Sequence, residues 1–228
     1  MQTTIASALL TLLLTLGQVR TQAATGERLL FLGNSITLHG PAEKIGWTGN
    51  WGMAASSAEQ DYVHLVVDAV AKARNKRPEV RVVNVADFER NYAGFDVGVK
   101  LKAEVDFKAD TVIVAIGENV PALKTEEAKT QFKASVVRLL TLLKGEGHTA
   151  LYVRSCFWAD GAKDAMLKEA CAAVGGIFVD ISELGKDERN YARSERKIAH
   201  AGVAAHPGDQ GMRAIASAII SVMEKPRK

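Results

Sequence analysis

Apolar residues in this chain gather into five short runs separated by longer stretches of helical periodicity. The runs are Arg28 to Leu32, Val80 to Val85, Thr111 to Ile116, Ala150 to Arg154 and Gly176 to Ile181. Each is rich in Val, Ile, Leu or Phe, and each predicts a buried strand. Helical spacing marks Ser57 to Arg74, Thr125 to Lys144, Ala162 to Val174 and about Asp209 to Met223. Ser57 followed three residues later by Gln60 reads as a capping box, and Thr125 precedes Glu126 and Glu127 in a first turn. Gly145 and Gly175 stand where helices stop. Strands that alternate with helices need crossovers, which are almost always right-handed, so the expectation is an α/β domain with a mainly parallel sheet covered by helices on both faces.

Two connections interrupt this rhythm. His39 to Ser56 is long and rich in glycine, and Lys186 to Lys197 carries eight charged residues in twelve. Long connections in compact domains tend to carry function. The charged one reads as a solvated helix or loop, or as a flap over a site. At the amino end, Ile5 to Leu16 is an uncharged, Leu-rich run of 12 residues, shorter than the roughly 20 needed to span a bilayer. Small residues follow it around Thr21-Gln22-Ala23, so residues 1–24 read as a signal peptide. Residues 25–228 then form one domain, secreted or periplasmic after cleavage.

Composition narrows the picture without redirecting it. With 47% hydrophobic and 24% charged residues, the chain has the proportions of an ordinary globular protein with a packed core. The 29 Lys and Arg against 26 Asp and Glu leave a net charge of only +3, scattered along the chain. That pattern does not imply nucleic acid as a partner. Cys156 and Cys171 are too few for a disulfide framework and lack metal-ligand spacing. Two buried free thiols, or a single bridge, remain open.

In an open parallel sheet, ligands bind beyond the carboxyl ends of the strands. Three segments there carry reactive side chains: Gly33-Asn34-Ser35-Ile36-Thr37 after the first run, Gly117-Glu118-Asn119-Val120 after the third, and His206-Pro207-Gly208-Asp209 before the last helix. Each has a bland reading, since a serine after a strand is often a helix cap and a loop asparagine often a turn residue. Together they supply the parts of acyl transfer. A serine oxygen is the nucleophile, an imidazole takes its proton, and an amide with backbone N–H groups steadies the oxyanion.

These segments resemble the SGNH (GDSL-type) hydrolase family. Leu29-Leu30-Phe31-Leu32-Gly33-Asn34-Ser35-Ile36-Thr37 is similar to its first block, Gly117-Glu118-Asn119 to its Gly-x-Asn block, and His206-Pro207 with Asp209 and Gly211 to its last. The resemblance runs from about Leu29 to the final helix. It implies a three-layer α/β/α sandwich with a five-stranded, flavodoxin-like sheet, and an esterase, lipase or carbohydrate deacetylase activity that needs no metal and no cofactor. Carried over by position, Ser35 is the nucleophile, His206 the general base, and Asn119 an oxyanion-hole donor together with the backbone N–H groups of Ser35 and Gly117.

The chain departs from the family pattern twice. No glycine follows the second strand before Gly94, where the family has one soon after it. The Asp that the family places three residues before the His is here Val203. In serine proteases disabling the acid lowers turnover about 10⁴-fold. A backbone carbonyl or a distant carboxylate therefore has to hold the ring, with Asp209, Asp180 and Glu89 as candidate acids. Asn34, Glu118, Trp47 and Trp51 are candidate substrate-binding residues, the tryptophans as a flat wall for a sugar or acyl group or else as loop anchors. His39 is a further candidate for positioning substrate. The expected function is an exported serine esterase that deacylates carbohydrate or another small polar ester. Its rivals are a glycan-binding protein on a hydrolase scaffold, and a glycosidase using Glu118 and Glu89 as its carboxylate pair.

Overall fold

Every strand of the sheet runs in the same direction. The computed structural model describes residues 27–146 and 149–225; the expected signal peptide, residues 1–24, lies outside the described residues. The strands are β1 (Arg28–Gly33), β2 (Glu79–Asn84), β3 (Thr111–Ala115), β4 (Ala150–Arg154) and β5 (Ile177–Val179), ordered β2-β1-β3-β4-β5. Leu29 pairs with Val80 on one side and with Thr111 on the other. The order reverses at β1 and β3, and that switch point is where an open sheet leaves a crevice at the carboxyl ends.

The helices are α1 (Tyr62–Arg74), α2 (Ala86–Arg90), α3 (Val97–Lys100), α4 (Lys102–Asp106), α5 (Glu126–Lys144), α6 (Gly161–Ala173), α7 (Ala192–Glu195), α8 (Ala201–Ala204) and α9 (Asp209–Met223). They cover both faces, giving the three-layer α/β/α sandwich. Because successive side chains leave a strand on opposite sides, Leu30 and Leu32 of β1 join Val112 and Val114 of β3 against Leu139 of α5 and Leu167 of α6. Leu29 and Phe31 point the other way, with Ile113, toward Val66 of α1 and Ile215 of α9. All of these are at most 1% exposed, which is why β1, β3 and β4 read as unbroken apolar runs.

Local chemistry moved several boundaries. Ser57 caps nothing through its side chain. A short 3₁₀ turn at Ala58–Gln60 precedes α1, and the cap is the buried Asp61, whose carboxylate accepts from the His64 backbone N–H at 2.8 Å. Helix α6 starts at Gly161 because Asp160 accepts from the N–H groups of Ala162 and Lys163. Strand β5 ends at Val179, since the Ile181 N–H turns to the Ser155 hydroxyl at 2.7 Å. Thr125 does cap α5, at 3.1 Å to the Ala128 N–H.

Cys156 and Cys171 are both buried and unbridged. Burial pushes both thiols up, Cys171 to about 11. The charged connection is folded into 3₁₀ turns and α7 and held by ion pairs of Asp187 with Arg189 and Glu188 with Arg193, each 2.6 Å. From its end, the Glu195 carboxylate accepts from the N–H groups of Asp209 and Gln210 at 2.8 and 2.6 Å, satisfying the first turn of α9. Among the described residues no helix is long and apolar enough to cross a membrane.

Candidate active site

Three loops meet at the switch point. The first leaves β1, where Asn34 folds back on itself: its side-chain oxygen accepts from the Ile36 N–H at 3.1 Å, and its backbone carbonyl accepts from Thr37. This tight turn leaves Ser35 at its outer edge. The loop continues through His39 to Ser56, which doubles back through bridges pairing His39 with Trp51 and Ala42 with Trp47. Its Met53 N–H returns to the Ser35 carbonyl at 2.8 Å.

The third loop comes from the other end of the chain. Val203 and Ala204 are buried, α8 is a single turn, and the His206 N–H closes it on the Val203 carbonyl at 3.0 Å. The His206 carbonyl accepts from Ala192 at 2.9 Å. Fixed in this way, the imidazole lies with Nε2 2.8 Å from the Ser35 hydroxyl and Nδ1 2.7 Å from the Gly202 carbonyl. A carbonyl only accepts, so Nδ1 carries the proton, and Nε2 is left with a lone pair facing the hydroxyl.

The group that holds His206 is therefore the main chain one residue before Val203. None of the three carboxylates considered as orienters has that role. Asp209 accepts from the Ser56 N–H and hydroxyl at 2.7 and 2.6 Å, tying the Ser35 loop to α9. Asp180 accepts from the Ser182 N–H at 3.0 Å. Glu89 is buried elsewhere in the site. The His206 and Trp158 rings also pack edge to face, with centroids 5.2 Å apart and planes at 89°. Burial lowers the His206 pKa below the usual imidazole value; the Gly202 bond and Glu118 oppose this, and His39 and His200 reinforce it. The shift favours the neutral ring, whose Nε2 lone pair faces the Ser35 hydroxyl.

Asn119 lies across the cavity from His206, after β3. Its side-chain nitrogen donates to Glu89 Oε2 at 2.7 Å and its backbone N–H to Glu89 Oε1 at 3.3 Å. The Gly117 N–H also donates to Glu89, at 2.6 Å, so that N–H is already engaged. Gly117 has φ +130°, and a Cβ there would sit 2.4 Å from the Cys156 sulfur; only glycine lets the β3 loop turn this close to β4.

Behind the cavity is a buried polar cluster. The Asn34 side-chain nitrogen donates to Glu89 at 3.1 Å and to Glu118 at 2.6 Å, so Asn34, 0% exposed, faces inward and away from the cavity. Glu118 also accepts from the Arg154 guanidinium at 2.6 Å and the Phe157 N–H at 3.0 Å. Burial resists the ionisation of Glu118, but Arg154 and these hydrogen bonds outweigh it and hold its carboxyl below the usual range. Burial and the neighbouring Glu118 push Glu89 up. The two carboxylates share one amide partner, yet the Glu118 side chain is 2% exposed and Glu89 0%. Neither has the access to substrate and water that a glycosidase pair requires.

The cavity above Ser35 has a volume of about 380 Å³. Ile45, Met53 and Val203 give it an apolar side, and Asn84, Asp87, Arg90, His39, His200 and Asn119 a polar one. Trp47 and Trp51 line a neighbouring cavity instead. They pack edge to face at 5.5 Å, and their N–H groups donate to the carbonyls of His39 and Ala55, which makes them anchors of the long loop. Trp158 is the aromatic group at the reactive residues, and nothing in its sequence context set it apart from the core residues Cys156 and Phe157. Among the described residues, no cluster of three or more His, Cys, Asp or Glu side chains is disposed to hold a metal ion.

No protein-family model and no curated protein matches the chain. Solved structures do. A protein from Bacteroides uniformis described as a GDSL-like lipase superposes with a TM-score of 0.56 at 13% identity, over 86% of this chain and 95% of its own. An acetyl xylan esterase does so with a TM-score of 0.51 at 14% identity, over 86% of this chain and 98% of its own. A two-domain esterase active on acetylated mannans, crystallised with mannopentaose, gives 0.56 at 18% identity; the match covers 87% of this chain and 49% of that one. The likeness is one of fold: this chain has the α/β/α architecture of the GDSL-like lipases and carbohydrate esterases.

Proposed function

We propose that this protein is a serine ester hydrolase that transfers the acyl group of a short-chain ester to Ser35 and then to water. The reading is carried by the Ser35 hydroxyl at 2.8 Å from a His206 nitrogen whose ring partner bonds a backbone carbonyl. In the first step His206 Nε2 takes the hydroxyl proton as the Ser35 oxygen attacks the ester carbonyl. The developing oxyanion is met by the second N–H of the Asn119 side chain and by the Ser35 backbone N–H. Collapse returns the proton from His206 to the departing alcohol. A water molecule then repeats the sequence on the acyl-enzyme, again deprotonated by His206.

The carbonyl of Gly202 fixes the ring's tautomer but carries no full charge to set against the imidazolium that forms. The expected turnover is therefore below that of a full triad, by less than the roughly 10⁴-fold cost of a lost acid that also loses the tautomer. The substrate reading is an acetyl or similarly short ester of a carbohydrate or small polar alcohol, acted on outside the cytoplasm after removal of residues 1–24. The small apolar side of the cavity favours it, with the polar rim suited to hydroxyl groups. So do the acetylated mannan and acetyl xylan substrates named for the fold neighbours.

The test is hydrolysis of p-nitrophenyl acetate and release of acetate from acetylated xylan and mannan by the purified protein. Turnover is expected in the wild type, with losses of about 10³-fold or more in Ser35→Ala and His206→Ala and of about 10²- to 10³-fold in Asn119→Ala. Equal rates in all four proteins would refute the reading.

A further inference from the structure

Glu89 collects more bonds from the candidate site than any group that faces substrate. Its carboxylate accepts from the Gly117 N–H, the Asn119 N–H, the Asn119 side-chain nitrogen and the Asn34 side-chain nitrogen, at 2.6, 3.3, 2.7 and 3.1 Å. A carboxylate offers about four lone-pair sites, and here four N–H donors from two different loops meet at it. Glu89 itself is carried by α2, beyond β2, so one buried side chain joins the loops of three neighbouring strands.

The geometry matters most at Asn119. An asparagine side chain can turn over and exchange its oxygen for its nitrogen with little change in shape. Toward an oxyanion the two orientations are opposites, one donating and one repelling. A carboxylate can only accept, so it admits the nitrogen and excludes the oxygen. With one N–H bound to Glu89, the other hydrogen on that nitrogen is left for the cavity that Asn119 lines. The Gly117 and Asn119 backbone bonds hold the loop itself, so the amide's position and its orientation answer to the same group.

We propose that Glu89 is a positioning residue for the oxyanion hole, which locks the Asn119 amide with its nitrogen toward the reacting carbonyl and ties that loop through Asn34 to the turn that bears Ser35. It touches neither substrate nor His206. The proposal rests on the esterase reading, in which Asn119 is the oxyanion donor. Glu89→Gln is the informative change, because it keeps the size of the side chain while replacing one of its two accepting oxygens by an NH2 donor at a position that N–H donors surround.

The experiment is a kinetic double-mutant cycle on p-nitrophenyl acetate with wild type, Glu89→Gln, Asn119→Ala and the double variant, alongside Glu89→Asp. Glu89→Gln is expected to lower kcat by about 10- to 100-fold with KM changed less than about threefold. In the Asn119→Ala background the same change is expected to lower kcat less than about threefold, because a misplaced donor no longer matters once the donor is gone. Glu89→Asp is expected to recover part of kcat. Equal losses in both backgrounds, or an unchanged kcat in Glu89→Gln, would overturn the proposal while leaving the esterase reading intact. A wild type without turnover would remove both.

Should Glu89→Gln not fold, the wild type still decides the question by NMR. One Asn119 side-chain proton, assigned by its loss in Asn119→Ala, is expected far downfield and slow to exchange. Two ordinary, rapidly exchanging amide protons would contradict the lock.

Discussion

A single ring shows how local surroundings set chemistry at the residue scale. The Trp158 and His206 rings pack edge to face, and burial is the largest influence lowering that imidazole's pKa. In the proposed mechanism the neutral ring is the active form, so kcat/KM is expected to rise with pH through the His206 pKa and to level above it. Trp158→Ala admits water, relieves the burial and moves that pKa upward toward the ordinary imidazole value of about 6.5. The acid limb of the pH profile is expected to shift to higher pH, so the variant loses most activity near pH 5.5 to 6 and comparatively little at pH 8. An acid limb that stays in place or moves down would contradict this account of the ring.

Residues at this scale were unevenly legible. Ser35, Asn119 and His206 stand beside strand ends or a helix start, and a sequence shows such positions. What holds them is less visible. The orienter of His206 is a main-chain carbonyl, which every residue possesses and no motif marks. Glu89 stood out only as a candidate acid for His206 or for a glycosidase pair, because nothing local shows that Gly117, Asn119 and Asn34 converge on it. Trp47 and Trp51 mislead in the opposite direction: they are near Ser35 in sequence, but their side chains turn into the next cavity.

At the scale of elements, the start of α1 links the scaffold to the Ser35 loop. Asp61 accepts from the His64 N–H and imidazole, both at 2.8 Å, and from the Gly52 N–H at 3.0 Å. Asp61→Ala removes a cap and orphans a buried N–H, so a loss of about 2 kcal/mol is expected in urea unfolding. The hydrogen bond from the His64 ring to Asp61 raises the His64 pKa. A raised folded-state value means that this contribution is complete below the unfolded value of about 6.5 and fades as pH rises through the folded one. The stability difference between wild type and His64→Gln is therefore expected to be largest at pH 5.5 to 6 and to shrink toward pH 9. A difference that grows with pH would reverse the sign of the argument.

Element existence was plain in the sequence wherever burial was complete, as in β1, β3 and β4. Element ends were not. Both Ser57 and Asp61 are acceptable caps by type, and the choice fell to Asp61 because its carboxylate also satisfies Gly52 in the adjoining loop. A contact between segments nine residues apart has no local signature.

For the whole molecule, the switch point of a parallel sheet brings residues from near the two ends of the described chain within hydrogen-bond distance. Ser35 follows the first strand and His206 precedes the last helix, 171 residues apart. The Ser56–Asp209 bonds and the Glu195 cap brace the loops that carry them. Neither brace is visible locally, although the α/β/α architecture that makes them possible was legible from the alternation of runs. The most direct measurement is covalent labelling of the purified protein with a fluorophosphonate, read by intact mass and peptide mapping. One adduct on Ser35 is predicted, absent in Ser35→Ala and slowed at least about 10²-fold in His206→Ala. No adduct, or an adduct whose rate ignores His206, would contradict the proposal that these two residues act as a nucleophile and its base.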